Sequence, residues 1–427
     1  MTNKPTCLVS APPDTYSGYG ARSRDFIKAL FEAKGEEWDI KILLQRWGNT
    51  PWGFLEDNKD EWGWLIPHCI NQPGPTIPYQ PDYWFQITVP NEFQAVGKTY
   101  SCGVTAGIET TLCPIEFIQG VNRMNMTLVS SKHAKASLVN TVAQNGATGE
   151  ETKVTAPVEV LFEGVDLNKY FYIAPKEYPE NEIGNLLDTI EEEFAFLFVG
   201  HWIHGDIGED RKNVGLLIKS FLMLFKNMKK KPALILKTSI SGASIMDRED
   251  VLGRINKIRA EIGGDLPNIY LVHGEFEDAD MNLLYNHPKV KAMVNLTKGE
   301  GFGRPLLEFT QARKPIAVSG WSGQLDFLKP DLTLLIPGVL TKVHPSAASS
   351  GLILTEASWF SPDMQAVNKA WLDLYKNYST YTEKAKKASV HGRTNFSYQM
   401  MADKLKDIID KNFTKAAVLK LPTLKRI

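Results

Sequence analysis

Short apolar runs alternate with amphipathic stretches along nearly the whole chain. That rhythm predicts strands and helices in turn, layered as α/β units around parallel sheets. In the first half, the runs at 6–10, 39–44, 83–89, 101–105, 126–129 and 158–162 read as strands. Apolar spacing near the helical period predicts helices over 21–33, 114–123 and 131–139 between them. A stretch rich in Pro, Glu and Asn, 168–185, then reads as a connector. Beyond it a second series predicts strands at 194–199, 233–238, 269–272, 290–296 and 315–318, with helices over 214–226, 247–262 and 279–286. Helices over 362–378 and 398–411 end the pattern. The predicted fold class is α/β, with two Rossmann-like, doubly wound domains joined near residues 164–168. Such a pair opens a ligand cleft at the carboxyl ends of both sets of strands.

At 427 residues the chain is long enough for two or three domains, each burying its own core. Its 43% hydrophobic and 23% charged residues are those of a soluble globular protein. The formal net charge of −1 supplies no global field to recruit nucleic acid or an acidic membrane. No apolar run nears the ~20 residues that a membrane span requires, so no stable membrane insertion is expected. Cys7, Cys69, Cys102 and Cys113 show neither CxxC pairing nor metal-ligand spacing, and no signal peptide precedes them. Reduced thiols in a cytoplasmic protein are the expectation.

The segment 298–308, Lys-Gly-Glu-Gly-Phe-Gly-Arg-Pro-Leu-Leu-Glu, changes the picture most. It sets Glu300 and Glu308 eight residues apart, across a glycine-rich turn leading from a short buried strand into a helix. Pro305 suits a helix's first turn, and Gly301 and Gly303 let backbone come close to a ligand. Carboxylates accept from paired sugar hydroxyls, and unpaired amides at a helix start suit an anion. On local pattern alone the segment fits either a sugar-phosphate grip or an ordinary βα turn.

Other segments add to it. Ser17-Gly18-Tyr19-Gly20 lies between the first strand and helix, where Gly18 and Gly20 would let amides face a diphosphate. Ser23 stands where a dinucleotide fingerprint wants a third glycine, and Leu44-Gln45 where it wants an acid, so NAD is poorly supported. Arg211-Lys212-Asn213 precedes the helix predicted at 214, and cations there would stabilise a departing diphosphate. Asp278 and Asp280 have the spacing of a cation site, but they open a helix, where acids cap free amides; capping is the better reading. His201, His204 and His273 lack ligand spacing. Trp47, Trp52, Phe54, Trp62 and Trp64 crowd one segment, either as core or as a stacking surface for sugars or bases.

In chain order these residues resemble the retaining glycosyltransferases of the GT-B fold, in particular family four (glycosyl transferases group 1). Glu300 to Glu308 is similar to that family's E-x7-E signature, and Val160-Leu-Phe-Glu-Gly-Val-Asp166 to its hinge segment. Phe198-Val-Gly200 with Arg211-Lys212-Asn213 resembles its donor-phosphate element, and Ser17 to Gly20 its glycine loop. Gly107-Ile-Glu109-Thr-Thr, Asn122 and Val129-Ser-Ser131 resemble a run found in one branch. The resemblance implies an acceptor-side domain over 1–165, a nucleotide-sugar donor domain over 166–390, and a helix and tail over 391–427 returning to the first domain.

It further implies that Glu308 holds the ribose of an NDP-sugar, UDP- or GDP-linked, while Glu300 contacts the transferred sugar. Gly301, Phe302 and Gly303 would help grip that sugar through backbone amides, and Arg211 and Lys212 would carry the diphosphate. No metal and no other cofactor is implied. Two departures stand out. His201 occupies a place where the family usually has Arg, leaving Arg211 as its substitute, and Glu109 stands where many members have His. The motifs around Glu109 and Glu300 look most like bacteriophage-encoded members, which would work in the host cytoplasm. That makes a hydroxymethylated base in phage DNA an acceptor candidate, with basic residues at 226–231 and 415–426 as a local face. The rival readings are a GT-B epimerase or phosphorylase, and a non-catalytic glycan- or nucleic-acid-binding protein on the same scaffold.

Overall fold

A computed structural model of the chain describes residues 4–70, 79–144, 148–203 and 205–413. Two parallel sheets organise it. The first runs Cys69–Ile70, Asp39–Leu44, Thr6–Ala11, Tyr83–Ile87, Tyr100–Thr105, Met126–Val129, Val158–Val160. The second runs Ile269–Val272, Ala233–Lys237, Ala195–Val199, Val290–Asn295, Ile316–Ser319, Leu334–Ile336. Every pairing within both sheets is parallel. In each sheet the winding reverses beside the first strand of its series, Thr6–Ala11 or Ala195–Val199. That reversal is the switch point at which open α/β sheets hold ligands. The strands read as unbroken apolar runs because helices cover both faces; Ala195–Val199 is buried throughout.

The departures from the sequence pattern are local and have physical causes. The first long helix is Gly18–Lys34, and it begins at Gly18 rather than at residue 21. Ser17 caps it by accepting from the Gly20 amide at 2.9 Å, so Gly18 and Gly20 lie in the first turn and not in a loop. The connector is pinned to the second domain. Phe171 and Ile173 donate backbone N–H groups to Asn282 and Asn286, and Glu182–Asp188 is helical. Pro362 ends a strand rather than starting a helix. It closes the antiparallel hairpin Gly338–Lys342 with Ser358–Pro362, and Asp363 caps the helix Met364–Lys376 behind it. Helix Tyr378–Asn395 escapes the pattern because it buries little, chiefly Ala385, Ser389 and Gly392.

The chain passes between the domains twice, side by side. Val165 N–H donates to the Phe396 carbonyl at 2.9 Å, and Tyr398 N–H returns a bond to the Val165 carbonyl at 2.8 Å. A Cβ on Gly164 would overlap the Tyr398 backbone, so the crossing requires glycine there. Helix Tyr398–Asn412 then lies along Gly18–Lys34, burying Met401, Leu405 and Ile409. Phe413 stacks on Phe85, ring centroids 5.2 Å apart, in the first domain's core. Among the described residues no helix is long and apolar enough to cross a membrane.

Candidate active site in the interdomain cleft

The cation pair sits in a tight turn. After the strand Ala195–Val199 the chain loops to Asp210, whose carbonyl accepts from Asn213 N–H at 2.9 Å. Asn213 is left-handed (φ 57°), a conformation Asn tolerates, and it launches the helix Val214–Phe225. The Asp210 carboxylate accepts from Val214 N–H at 3.1 Å, and burial pushes its pKa up to about 6. This turn fixes Arg211 and Lys212 at the carboxyl end of the second sheet. The Arg211 carbonyl accepts from Lys298 N–H at 2.8 Å, which ties the turn to the glycine-rich segment.

Glu300 stands between those cations. Lys212 Nζ lies 2.5 Å from its carboxylate and Arg211 Nη1 lies 3.4 Å away, while Arg211 also donates to the Gly299 carbonyl at 3.0 Å. Burial opposes ionisation of Glu300, yet Lys212 and Arg211 outweigh it and hold the carboxyl below its ordinary value. Ser322 anchors the backbone, accepting from Glu300 N–H at 2.9 Å and donating to Gln324 Oε1 at 2.8 Å. It does so at φ 79°, ψ −159°, a strained region for a non-glycine residue that costs about 1–3 kcal/mol. Sequence pattern gives no local signal for Ser322. The strain at this position is evidence that the Glu300 loop is held in place from behind.

The first domain closes against this loop. A Cβ on Gly299 would overlap the Glu109 carbonyl, and one on Gly301 would overlap the Ala106 carbonyl. These two glycines therefore permit close approach of the opposite domain, in addition to any ligand. The Ser130 hydroxyl is shared between the carbonyls of Ala106 and Gly301, at 2.7 and 3.0 Å. Gly303 is left-handed (φ 95°) and starts the helix Arg304–Thr310. The Phe302 side chain is core, packed with Phe327 and Phe396. Glu109 reaches across to Arg211 at 3.7 Å. Beside it the Tyr19 hydroxyl meets Thr105 at 2.9 Å, and its ring stacks on Trp47 with centroids 3.8 Å apart.

Glu308 lies deeper. Arg304 Nε donates to its Oε1 at 2.8 Å, and the Tyr285 hydroxyl stands 3.4 Å from Oε2. Burial pushes the Glu308 carboxyl up to about 7, against the pull of Arg304. Arg304 also donates to Asp25 on Gly18–Lys34 at 2.5 Å, a contact between domains. The pair Arg304 and Glu308 has the four-residue spacing of a helix ion pair, which is the one signal in the sequence that could have found it.

The remaining residues divide. A Cβ on Gly18 would meet nothing within 4 Å, whereas one on Gly20 would overlap the Thr15 carbonyl, so Gly20 is required by packing. Asp280 completes a capping box with Glu277, while Asp278 pairs with Lys169 at 2.7 Å and accepts from the Tyr170 hydroxyl at 2.7 Å. His273 pairs with Asp247 at 2.8 Å and His201 meets Ser239 at 3.0 Å; His204 lies outside the described residues. Trp62 is buried, Trp64 packs edge-on to Phe31, and Phe54 lies under Arg24. Trp52 is exposed, with the Arg46 guanidinium 5.7 Å from its ring. Lys226 and Lys231 are engaged with the Ile262 carbonyl and Asp265, and residues 415–426 lie outside the described chain.

No family model matches the sequence, and no curated protein matches it. Solved structures match over nearly the full length. The sucrose-phosphate synthase of Thermosynechococcus elongatus has a TM-score of 0.61 at 13% identity, covering 96% of this chain and 99% of that one. A glycosyltransferase from Rickettsia africae has a TM-score of 0.60 at 13% identity, covering 97% of this chain and 100% of its own. Anabaena HepE, in complex with UDP and glucose, has a TM-score of 0.61 at 11% identity, covering 95% and 100%. At such identities the likeness is one of fold. The protein has the GT-B fold, two parallel α/β domains facing across a cleft.

Proposed function

We propose that the protein is a retaining glycosyltransferase that moves a sugar from a nucleoside-diphosphate sugar to a hydroxyl acceptor. The observation that carries this reading is Glu300 held against Lys212 and Arg211 at the mouth of the second sheet, eight residues ahead of Glu308. In this reading Arg211 and Lys212 take the diphosphate and stabilise its charge as the sugar departs, the role that elsewhere falls to a metal. Once phosphate engages these cations, the Glu300 carboxylate is released to accept from hydroxyls of the transferred sugar. Glu308 accepts from the ribose. The departing phosphate takes the acceptor's proton, so no protein base is required. Family four membership rests on the sequence motifs and their order, and a phage source on the likeness of the segments around Glu109 and Glu300.

A UDP-linked sugar is the first donor to try, because HepE was solved with UDP and glucose and also with UDP-glucose. The acceptor enters along the first domain's wall, past Glu109 and the stacked Tyr19–Trp47 pair. A hydroxymethylated DNA base is the acceptor that the phage-like motifs suggest. The test is a thermal-shift screen against UDP- and GDP-sugars, since a bound donor raises the melting temperature by mass action, followed by assay of nucleotide release. A donor that stabilises the protein and is turned over supports the reading. No response to any nucleotide sugar, with tight binding of glycan or DNA, would favour the non-catalytic alternative.

A further inference from the structure

The hinge carries a carboxylate that none of its neighbours uses. Glu163 follows Val158–Val160, the last strand of the first sheet, just before the chain crosses at Val165. The backbone around it is held from behind. Buried Arg22 donates to the carbonyls of Leu161 and Phe162 at 2.5 and 2.9 Å. The Phe162 ring packs on Phe396 with centroids 5.0 Å apart, and Gly164 lies against the Tyr398 backbone. Glu163 is only 8% exposed, yet among the described residues its side chain makes no hydrogen bond and no ion pair. Neither carboxylate oxygen is sealed from solvent, so the little surface that remains includes both oxygens. The charges acting on the group are Arg22, Arg304, Asp25 and Glu300. They come from the helix Gly18–Lys34 on one side of the cleft and from residues 300–304 on the other. With its backbone covered from behind, the open side of Glu163 is the side between them.

A buried carboxylate without a donor is costly, and an orphaned polar group in a folded protein calls for a partner. That partner has to bring O–H or N–H groups. The diphosphate of a nucleotide sugar has none and shares the carboxylate's charge, whereas the sugar has several hydroxyls. We infer that Glu163 is a specificity-determining contact, whose carboxylate accepts a hydrogen bond from a hydroxyl of the transferred sugar. The inference rests on the proposed reading of the cleft as a nucleotide-sugar site, with Glu300 at the sugar. It makes the hinge a selector of donors, because a site that leaves a buried acceptor unpaired rejects the analogue lacking that hydroxyl.

The test is calorimetry on the full chain with UDP, UDP-glucose and the monodeoxy analogues of UDP-glucose, or with GDP, GDP-mannose and its analogues if UDP-glucose does not bind. Glu163→Gln keeps the size and one acceptor but loses the charge, and should weaken UDP-glucose about fivefold. Glu163→Ala should weaken it about twentyfold, and in both variants the affinity for UDP should stay as in wild type. Wild type should bind one monodeoxy analogue about tenfold more weakly than UDP-glucose, and Glu163→Ala should bind the two within about twofold of each other. If Glu163→Ala does not fold, the split between UDP and UDP-glucose in Glu163→Gln decides. Equal losses for UDP and UDP-glucose, as a purely structural role would give, overturn the inference. So does unchanged binding of UDP-glucose, or discrimination against the analogue that survives in Glu163→Ala. Those outcomes leave the nucleotide-sugar reading intact, whereas a folded wild type that binds none of these ligands overturns both.

Discussion

Glu300 and Glu308 are the same side chain eight residues apart, both nearly closed to solvent, and the protein treats them in opposite ways. At Glu300 burial is outweighed by Lys212 and Arg211, and the carboxyl lies below its ordinary value. At Glu308 burial prevails, and the carboxyl rises to about 7. The cause is the company each keeps. Lys212, from its own domain, sits 2.5 Å from Glu300. Glu308 shares its cation with Asp25, and Asp278 nearby further disfavours its charge. Charge at Glu300 is fixed within one domain, whereas charge at Glu308 depends on pH and on how the domains meet.

Replacing Glu300 by Gln should break the comparison most severely. It leaves two cations short of their carboxylate, which costs about 3–5 kcal/mol when such a pair is buried. Transfer should fall by roughly 10²-fold or more, as when a preorganised charge is removed from an active site. Wild-type turnover and melting temperature in this variant would separate Glu300 from the chemistry. Next comes Gly301→Ala. Its Cβ would overlap the Ala106 carbonyl, so the domains cannot close as they do here. Turnover should drop about tenfold to a hundredfold through lost positioning. Small-angle scattering should read a more open particle, and an unchanged radius would argue against closure as the reason for glycine.

Glu308→Gln sharpens the pH side of the contrast. A carboxyl whose folded pKa, about 7, exceeds its ordinary 4.5 costs stability as pH rises between those values, and the full cost remains above about 7. Gln carries no such cost. The variant should therefore gain on wild type across that window, by up to about 3 kcal/mol, with no gain below pH 4.5. A difference independent of pH would mean that Arg304 already keeps Glu308 charged. The smallest effect is expected at Gly18→Ala. The site is open, and the first turn of a helix accepts Ala, so stability should move by less than about 1 kcal/mol. A marked loss of donor affinity there, measured by calorimetry, would show that the Gly18 backbone is in the site.

Much of the fold was legible in the sequence because a parallel sheet covered on both faces writes its strands as continuous apolar runs. Val290–Asn295 and Ala195–Val199 are examples. The hairpin Gly338–Lys342 with Ser358–Pro362 was not, because its first strand is exposed along its whole length and carries no period to read. At the site, the residue types and spacing pointed to Glu300, Glu308, Arg211 and Lys212. What they contact was beyond reach, since Asp25 and Arg304 are 279 residues apart and no local pattern records such a pair. The glycines show the same limit from the other side. The sequence marks Gly301 as a place of close approach to a ligand, but only the fold reveals that what approaches it, and Gly299 beside it, is the other half of the same chain.

The helix Tyr398–Asn412 has a consequence for how the protein is made. It lies on Gly18–Lys34, and Phe413 fills a gap among Phe85, Tyr83, Tyr100 and Trp38 in the first domain. While a ribosome is still extending the second domain, the first therefore waits with an apolar flank uncovered. The core of the first domain is thus completed only after the second domain has been translated.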